Sequence, residues 1–199
     1  RLNSSAASDV YKRQLHSDDA TAATAAQLNT INAATSVAVT STAITALAAS
    51  DLADLTTLHT NRAGFSSLAN LAAITLTNDG GGGDGNVDFG TLKTIVDNYQ
   101  ARNADVAFSF QAGDTIDVDN GDELTAYLAD IASGALALSN QAVTVDSSVT
   151  LSVANAKSIA ADTTGIVTAT IASGTRVSKL TELRNPGGGN EENAWTITI

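Results

Sequence analysis

The chain has 199 residues, with 21 acidic residues against 10 basic ones, a formal net charge of -11 and no Cys or Met. That balance argues against a phosphate-binding surface, because nucleic-acid binders carry a basic stripe. The missing Cys excludes disulfides, thiolate metal sites and a cysteine nucleophile. Hydrophobic residues make up 43% and aromatics only 4%, so a core exists but must be built from Ala, Val, Ile and Leu. No apolar run approaches the roughly 20 residues that span a bilayer.

Read in chain order, the first fourteen residues, Arg1 to Gln14, stand apart through their basic Arg1, Lys12 and Arg13. They resemble a translated sequencing-adapter read-through, so residues 1–19 are set aside as an artefactual or disordered segment and 20–199 are read as the folded part. The absence of Met and the strand-like finish at Trp195–Ile199 lead us to expect an internal piece of a longer protein.

From Ala20 a short Ala-rich helix alternates with a strand rich in Thr, Val and Ile. Ala25–Ala34 is the first helix, with Leu28 and Ile31 on one face, and Val37–Thr40 the first strand. Asp51–Leu58 is the second helix, with Ser50 as its expected N-cap, and Ala73–Thr77 the next strand. Gly90–Tyr99 reads as a helix, then Val106–Phe110 and Asp114–Val118 as strands. Leu124–Ile131 is helical with Leu124, Leu128 and Ile131 on one face, and Ala142–Val145 is a strand. Val153–Ala161 and Gly165–Ile171 form the next pair, and Val177–Leu183 with Trp195–Ile199 the last. Gly-rich loops fall near 79–86 and 186–190.

The period is irregular, about 25–35 residues, the range of solenoid repeats. A helix between successive strands implies parallel pairing through crossovers. The expected fold is α/β, a solenoid-like repeat array of short helices alternating with parallel β-strands, in which each unit is stabilised by its neighbours. An ordinary doubly wound α/β domain is the rival, but its strands are usually apolar on both faces, whereas here Thr alternates with Val, Ile or Ala.

The segments Ala26–Val39 and Leu151–Ile171, the latter with Asp162-Thr163-Thr164-Gly165 leading into Ile166-Val167-Thr168-Ala169-Thr170-Ile171, and the tail Asn193–Ile199 carry a resemblance. They resemble the Ala/Thr-rich repeats of very large cyanobacterial and marine bacterial surface proteins. Residues 80–121 depart from that phrasing. The resemblance implies an extracellular or cell-surface, adhesin-like role, and it carries no catalytic motif.

The best chemical candidate is Asn78–Phe89, where Asp79, Asp84, Asn86 and Asp88 offer oxygen ligands on a glycine-rich backbone, as calcium requires. The run begins a G-G-x-G-x-D pattern, but Val87 stands in the place of the Asp; the alternative is a solvated linker. A second acidic cluster, Asp114, Asp117, Asp119, Asp122 and Glu123, is not an EF-hand, because Gly121 falls one place early. It reads instead as a turn that caps the following helix, with Asp117 and Asp119 facing solvent.

His16 and His59 are the only histidines, and with no pair of them in the fold neither a triad nor a zinc site is supported. His59 is expected at the surface near a helix end. No Gly-x-Ser-x-Gly or Walker loop occurs. The Thr75/Thr77, Thr168/Thr170 and Thr196/Thr198 steps could align as hydroxyl ladders for ice or carbohydrate, though β-propensity alone explains Thr in strands.

The expected function is a non-enzymatic structural or adhesive segment of a large secreted or cell-surface bacterial protein. Its expected partners are neighbouring repeats of the same chain, and surface polysaccharide or other cells, with no nucleic acid and no membrane span. A calcium-stabilised region of a type-I-secreted protein is the first alternative. The non-catalytic region of a secreted hydrolase is the second.

Overall fold

A computed structural model of the chain describes residues 23–66, 68, 71–77, 86–110, 114–136, 138–183 and 193–197. The Gly-rich loops fall outside the described residues, as does the N-terminal segment to residue 22.

Each of the five longer helices starts at a residue whose side chain accepts a free backbone N–H, the requirement at any helix N-terminus. Thr24 caps α1 (Ala25–Ala33), and the Gln27 side chain returns the bond to Thr24. Asp51 caps α2 (Leu52–Thr60), and Asp88 caps α3 (Phe89–Gln100). Asn120 caps α4 (Gly121–Ser133) and Ser152 caps α5 (Val153–Asp162). A short α6 (Val177–Leu180) runs into a 3-10 turn. The expected turn at Asp119–Asp122 therefore does cap its helix, through Asn120. Ser50 does not cap α2: its hydroxyl accepts from Ala25 N at 2.9 Å and donates to Ala48 O, tying α1 to a strand.

The strands are β1 (Ala46–Ser50), β2 (Ala73–Leu76), β3 (Asn86–Asp88), β4 (Ala107–Phe110), β5 (Thr115–Val118), β6 (Ala142–Val145), β7 (Thr150–Leu151), β8 (Val167–Ile171) and β9 (Ala194–Ile197). Every pairing is parallel. One sheet runs β1-β2-β4 and the other β3-β5-β6-β8, with β9 beyond β8 and β7 continuing the β6 side of β8. The chain is thus α/β with parallel sheets and helices alternating with strands. The predicted strand at Val37–Thr40 reduces to isolated bridges at Val39 and Thr40, that of Val39 to Phe65.

Alternation within each strand sends one set of side chains inward. Val87, Ile116, Val143 and Val167 stand in register across four strands, each at 0% exposure. Leu47, Ile74 and Phe108 form the matching row of the other sheet. Burying each such side chain is worth about 1.5–3 kcal/mol. The helices cover these rows with Leu28, Leu52, Leu55, Leu58, Leu92, Ile95, Leu124 and Ile159, all within one continuous core. Two aromatic contacts reinforce it: Phe89 meets Tyr127 edge-on at 5.2 Å, and Tyr99 meets Phe108 at 6.5 Å. No helix among the described residues is long and apolar enough to cross a membrane.

Contacts between helices follow chain order, α1 to α2, α2 to α3, α3 to α4 and α4 to α5. Several bonds outside the strand ladders join residues 25 positions apart: Ala25 N to Ser50 Oγ, Asn29 Nδ2 to Asp54 O, Ser41 N to Ser66 Oγ and Thr164 Oγ1 to Ser139 O.

Gly165, at the entry to β8, lies against the backbone leading into β6. A Cβ there would stand 2.2 Å from Gln141 O and 2.4 Å from its carbonyl carbon. Gly121, in the first turn of α4, has open space around it. We therefore expect Gly165→Ala to destabilise by about 1–3 kcal/mol or more, and Gly121→Ala to be neutral or stabilising by up to about 1 kcal/mol, both read from urea unfolding midpoints. Equal effects would mean that the close approach of β6 and β8 is not a packing constraint.

Candidate functional site

Of the four candidate calcium ligands, Asp79 and Asp84 lie outside the described residues. Asn86 opens β3 and Asp88 closes it. The fold brings Asp88 together with two residues of the second acidic cluster: one carboxylate oxygen from each of Asp88, Asp119 and Glu123 lies within 4.8 Å of the others. Strand register causes this. β3 and β5 pair with Asp88 opposite Asp117, so the residues that leave β5 pass beside the start of α3.

Glu123, in the first turn of α4, accepts from Asp119 N at 2.8 Å and from Asn120 Nδ2 at 2.7 Å. Asp88 Oδ1 is engaged by the backbone N–H and hydroxyl of Thr91. Gly90 leaves the needed space, since a Cβ there would meet Glu123 Oε1 at 2.9 Å. Desolvation by the neighbouring groups raises the Asp119 carboxyl above its ordinary value although the residue is exposed, and the negative charges of Glu123, Asp88 and Asp146 push it further the same way.

The other members of that cluster do not join the trio. Asp122 is exposed like Asp119, Asp117 is half-buried, and Asp114 is buried at 6% exposure. Asp119 thus faces solvent as expected, just past the end of β5, whereas Asp117, within the strand, is half-buried.

The Thr steps fall partly into rows. Thr150, Thr170 and Thr196 are in register across β7, β8 and β9, and Thr144 sits opposite Thr168. In the other sheet the Thr75 hydroxyl meets that of Ser109 at 3.3 Å. Thr198 lies outside the described residues. The row containing Thr144 and Thr168 continues through Asp117 and Asp88 at one end and Ala194 at the other, so the hydroxyl array is short.

His59 sits in the last turn of α2, near the helix end as expected, and is half-buried. Its ring tilts over Tyr99 at 5.8 Å, and Tyr99 donates its hydroxyl to Leu55 O. Burial, then the charges of Arg62 and Arg102, hold the His59 pKa below its ordinary value. These groups frame a cleft with room for about 20 Å³, the space of a single water.

Sequence reasoning missed a larger cleft of about 410 Å³ between α4 and α5, lined by Leu128, Ile131, Ala132, Asn155, Ser158, Ala161 and Asp162. Asp162 is half-buried at the end of α5, and burial lifts its carboxyl to about 6. Beside it Tyr127, wholly buried, has a hydroxyl pushed well above its ordinary range by burial and by the Asp162 charge. Tyr127 was legible as helical but not as core, because the spacing singled out Leu124, Leu128 and Ile131.

Against known proteins, no family model, curated protein or solved structure matches this chain.

A carboxyl whose pKa is higher folded than unfolded holds its proton more tightly in the native state. Its stabilising contribution is full below the unfolded value near 4 and is lost as pH rises through about 6. Asp162→Asn should remove that dependence. The stability difference between wild type and variant should shift against the wild type from pH 4 to 7, by less than ~1.4 kcal/mol per pH unit because the group is partly open to water. Denaturant titrations at both pH values check it, and a constant difference would refute the raised carboxyl.

Proposed function

We propose that the chain is a structural and adhesive segment of a large secreted or cell-surface protein, a solenoid-like array in which each helix–strand unit stacks on its neighbours, and that it performs no reaction. The observation that carries this reading is the order of contacts. Helices meet in chain order, strand order rises along β1-β2-β4 and along β3-β5-β6-β8, and bonds recur at 25-residue separation. A chain built from nearest-neighbour contacts lengthens in proportion to its units, which suits spacing and surface coating. The charge of -11 keeps such a polymer soluble. The Thr rows of the second sheet offer hydroxyls to a polysaccharide surface. Glycosidic hydrolysis uses a pair of carboxylates, and the larger cleft is lined by one, Asp162.

Two measurements test this. Val143 pairs with Val167, so deleting residues 143–166 brings β8 into the place of β6. An array should tolerate that deletion and still melt cooperatively, whereas deleting 143–154 should abolish folding. Loss of folding in both would leave a closed α/β domain. For adhesion, beads coated with the chain should stay on a polysaccharide film under flow better than beads coated with an unrelated acidic protein; equal retention would leave spacing as the role.

A second reading, calcium-dependent stability, is favoured by the Asp88, Asp119 and Glu123 carboxylates. Calcium lies 2.3–2.6 Å from its oxygen ligands, so a trio within 4.8 Å fits around one ion, with further oxygens needed to complete six to eight. Asn86, two residues before Asp88, was an expected ligand. Thermal unfolding in EDTA and then in millimolar calcium should show a saturable rise in Tm, flattened by Asp119→Asn with Glu123→Gln. An unchanged Tm would remove calcium as a structural cofactor.

A further inference from the structure

We infer that the cleft between α4 and α5 binds a primary ammonium group carried on a short apolar body. Its volume, about 410 Å³, lies in the range of small-molecule sites. The two walls differ in chemistry. α4 presents Leu128 and Ile131, while α5 presents Asn155, Ser158 and the Asp162 carboxylate. An amphiphilic ligand would lay its body on the first wall and its polar head on the second.

The charge on the polar wall explains why that head should be a cation with several N–H donors. Asp162 Oδ2 and the Tyr127 hydroxyl are both sealed from solvent and have no hydrogen-bond partner. Tyr127 is at 0% exposure, and the Asp162 charge reaches it. The polar groups that line the cleft are thus the Asp162 carboxylate, the Ser158 hydroxyl and the Asn155 amide, with Tyr127 behind them and out of reach of a ligand. An ammonium supplies three donors and no acceptor. An anion would be repelled by Asp162, and a neutral alcohol would leave the carboxylate charge unmet.

No cation of the chain meets that charge among the described residues. Lys157, on the same helix, turns to Glu182 at 3.6 Å, and Lys93 is held by Asp97 and Asp130. A charge-assisted bond to a partly desolvated carboxylate is stronger than a neutral one. The chain's overall negative field also concentrates cations near it.

The test titrates n-butylammonium chloride into the 199-residue chain and follows backbone amide resonances. Saturable shifts confined to residues 128–132 and 155–162 are expected. Asp162→Asn should weaken binding at least about tenfold, while Asp105→Asn, which removes an exposed acid outside both sites, should leave it unchanged. A melting curve of each variant establishes that it is folded; Asp162→Asn, which removes a half-buried charge, should fold at least as well as the wild type. Non-saturating shifts spread over the exposed carboxylates would overturn the site and leave only diffuse counterion attraction. So would unchanged affinity in Asp162→Asn, or equal binding of n-butanol.

Discussion

Parallel pairing is the constraint from which the rest of this structure follows. Two parallel strands cannot be joined by a tight turn, so the chain must travel back before it can pair again. Here a helix or a long connection makes each return. Val87, Ile116, Val143 and Val167 meet in one row although each belongs to a different passage of the chain. The row is held by backbone bonds and by burial together, which is why a short strand with few large side chains can contribute to a core. Low aromatic content is compatible with this because Ala, Val and Thr let layers approach closely; Gly165 marks where that approach leaves no room even for a methyl group.

The same geometry distributes charge. Four of the helices follow directly on a strand end, so their N-termini gather on one side of the sheets, and Asp51, Asp88, Asn120 and Ser152 answer their free N–H groups. Carboxylates belong there, because the helix dipole favours negative charge at that end. When successive units bring their caps together, the carboxylates accumulate faster than one dipole can offset them. Asp119 then feels Glu123, Asp88 and Asp146 at once. Asp162 is the opposite case, an acid at the C-terminal end of α5, where the dipole gives it no support and burial raises its pKa.

Much of the fold was legible from local pattern. The apolar spacing of Leu52, Leu55 and Leu58 and the alternation of Ala142–Val145 each announced their element, and the structure contains both. Three short strands were not legible. β1 is Ala46-Leu47-Ala48-Ala49-Ser50, a composition of low strand propensity, and it is a strand because β2 lies beside it. β3 and β7 have three and two residues, too few for any periodicity. Val37–Thr40 shows the converse: strand-like composition with only isolated bridges to pair it. The candidate site divided in the same way. Asp88 could be named from its neighbours in sequence, but its meeting with Asp119 and Glu123 depends on register between β3 and β5, which no local pattern encodes.

By itself the sequence determined the alternation of helix and strand, the parallel pairing it entails, the acidic surface and a core of small aliphatic side chains. These are properties of local periodicity and composition, and each residue carries its share of them. The tertiary structure alone decided which units stack against which, where the carboxylates converge, that Ser50 serves α1 instead of α2, and that Tyr127 and Asp162 share a buried seam behind a cleft. Those outcomes belong to pairs of residues far apart in the chain, and the distance between them is set only when backbone hydrogen bonding and burial select one register among many.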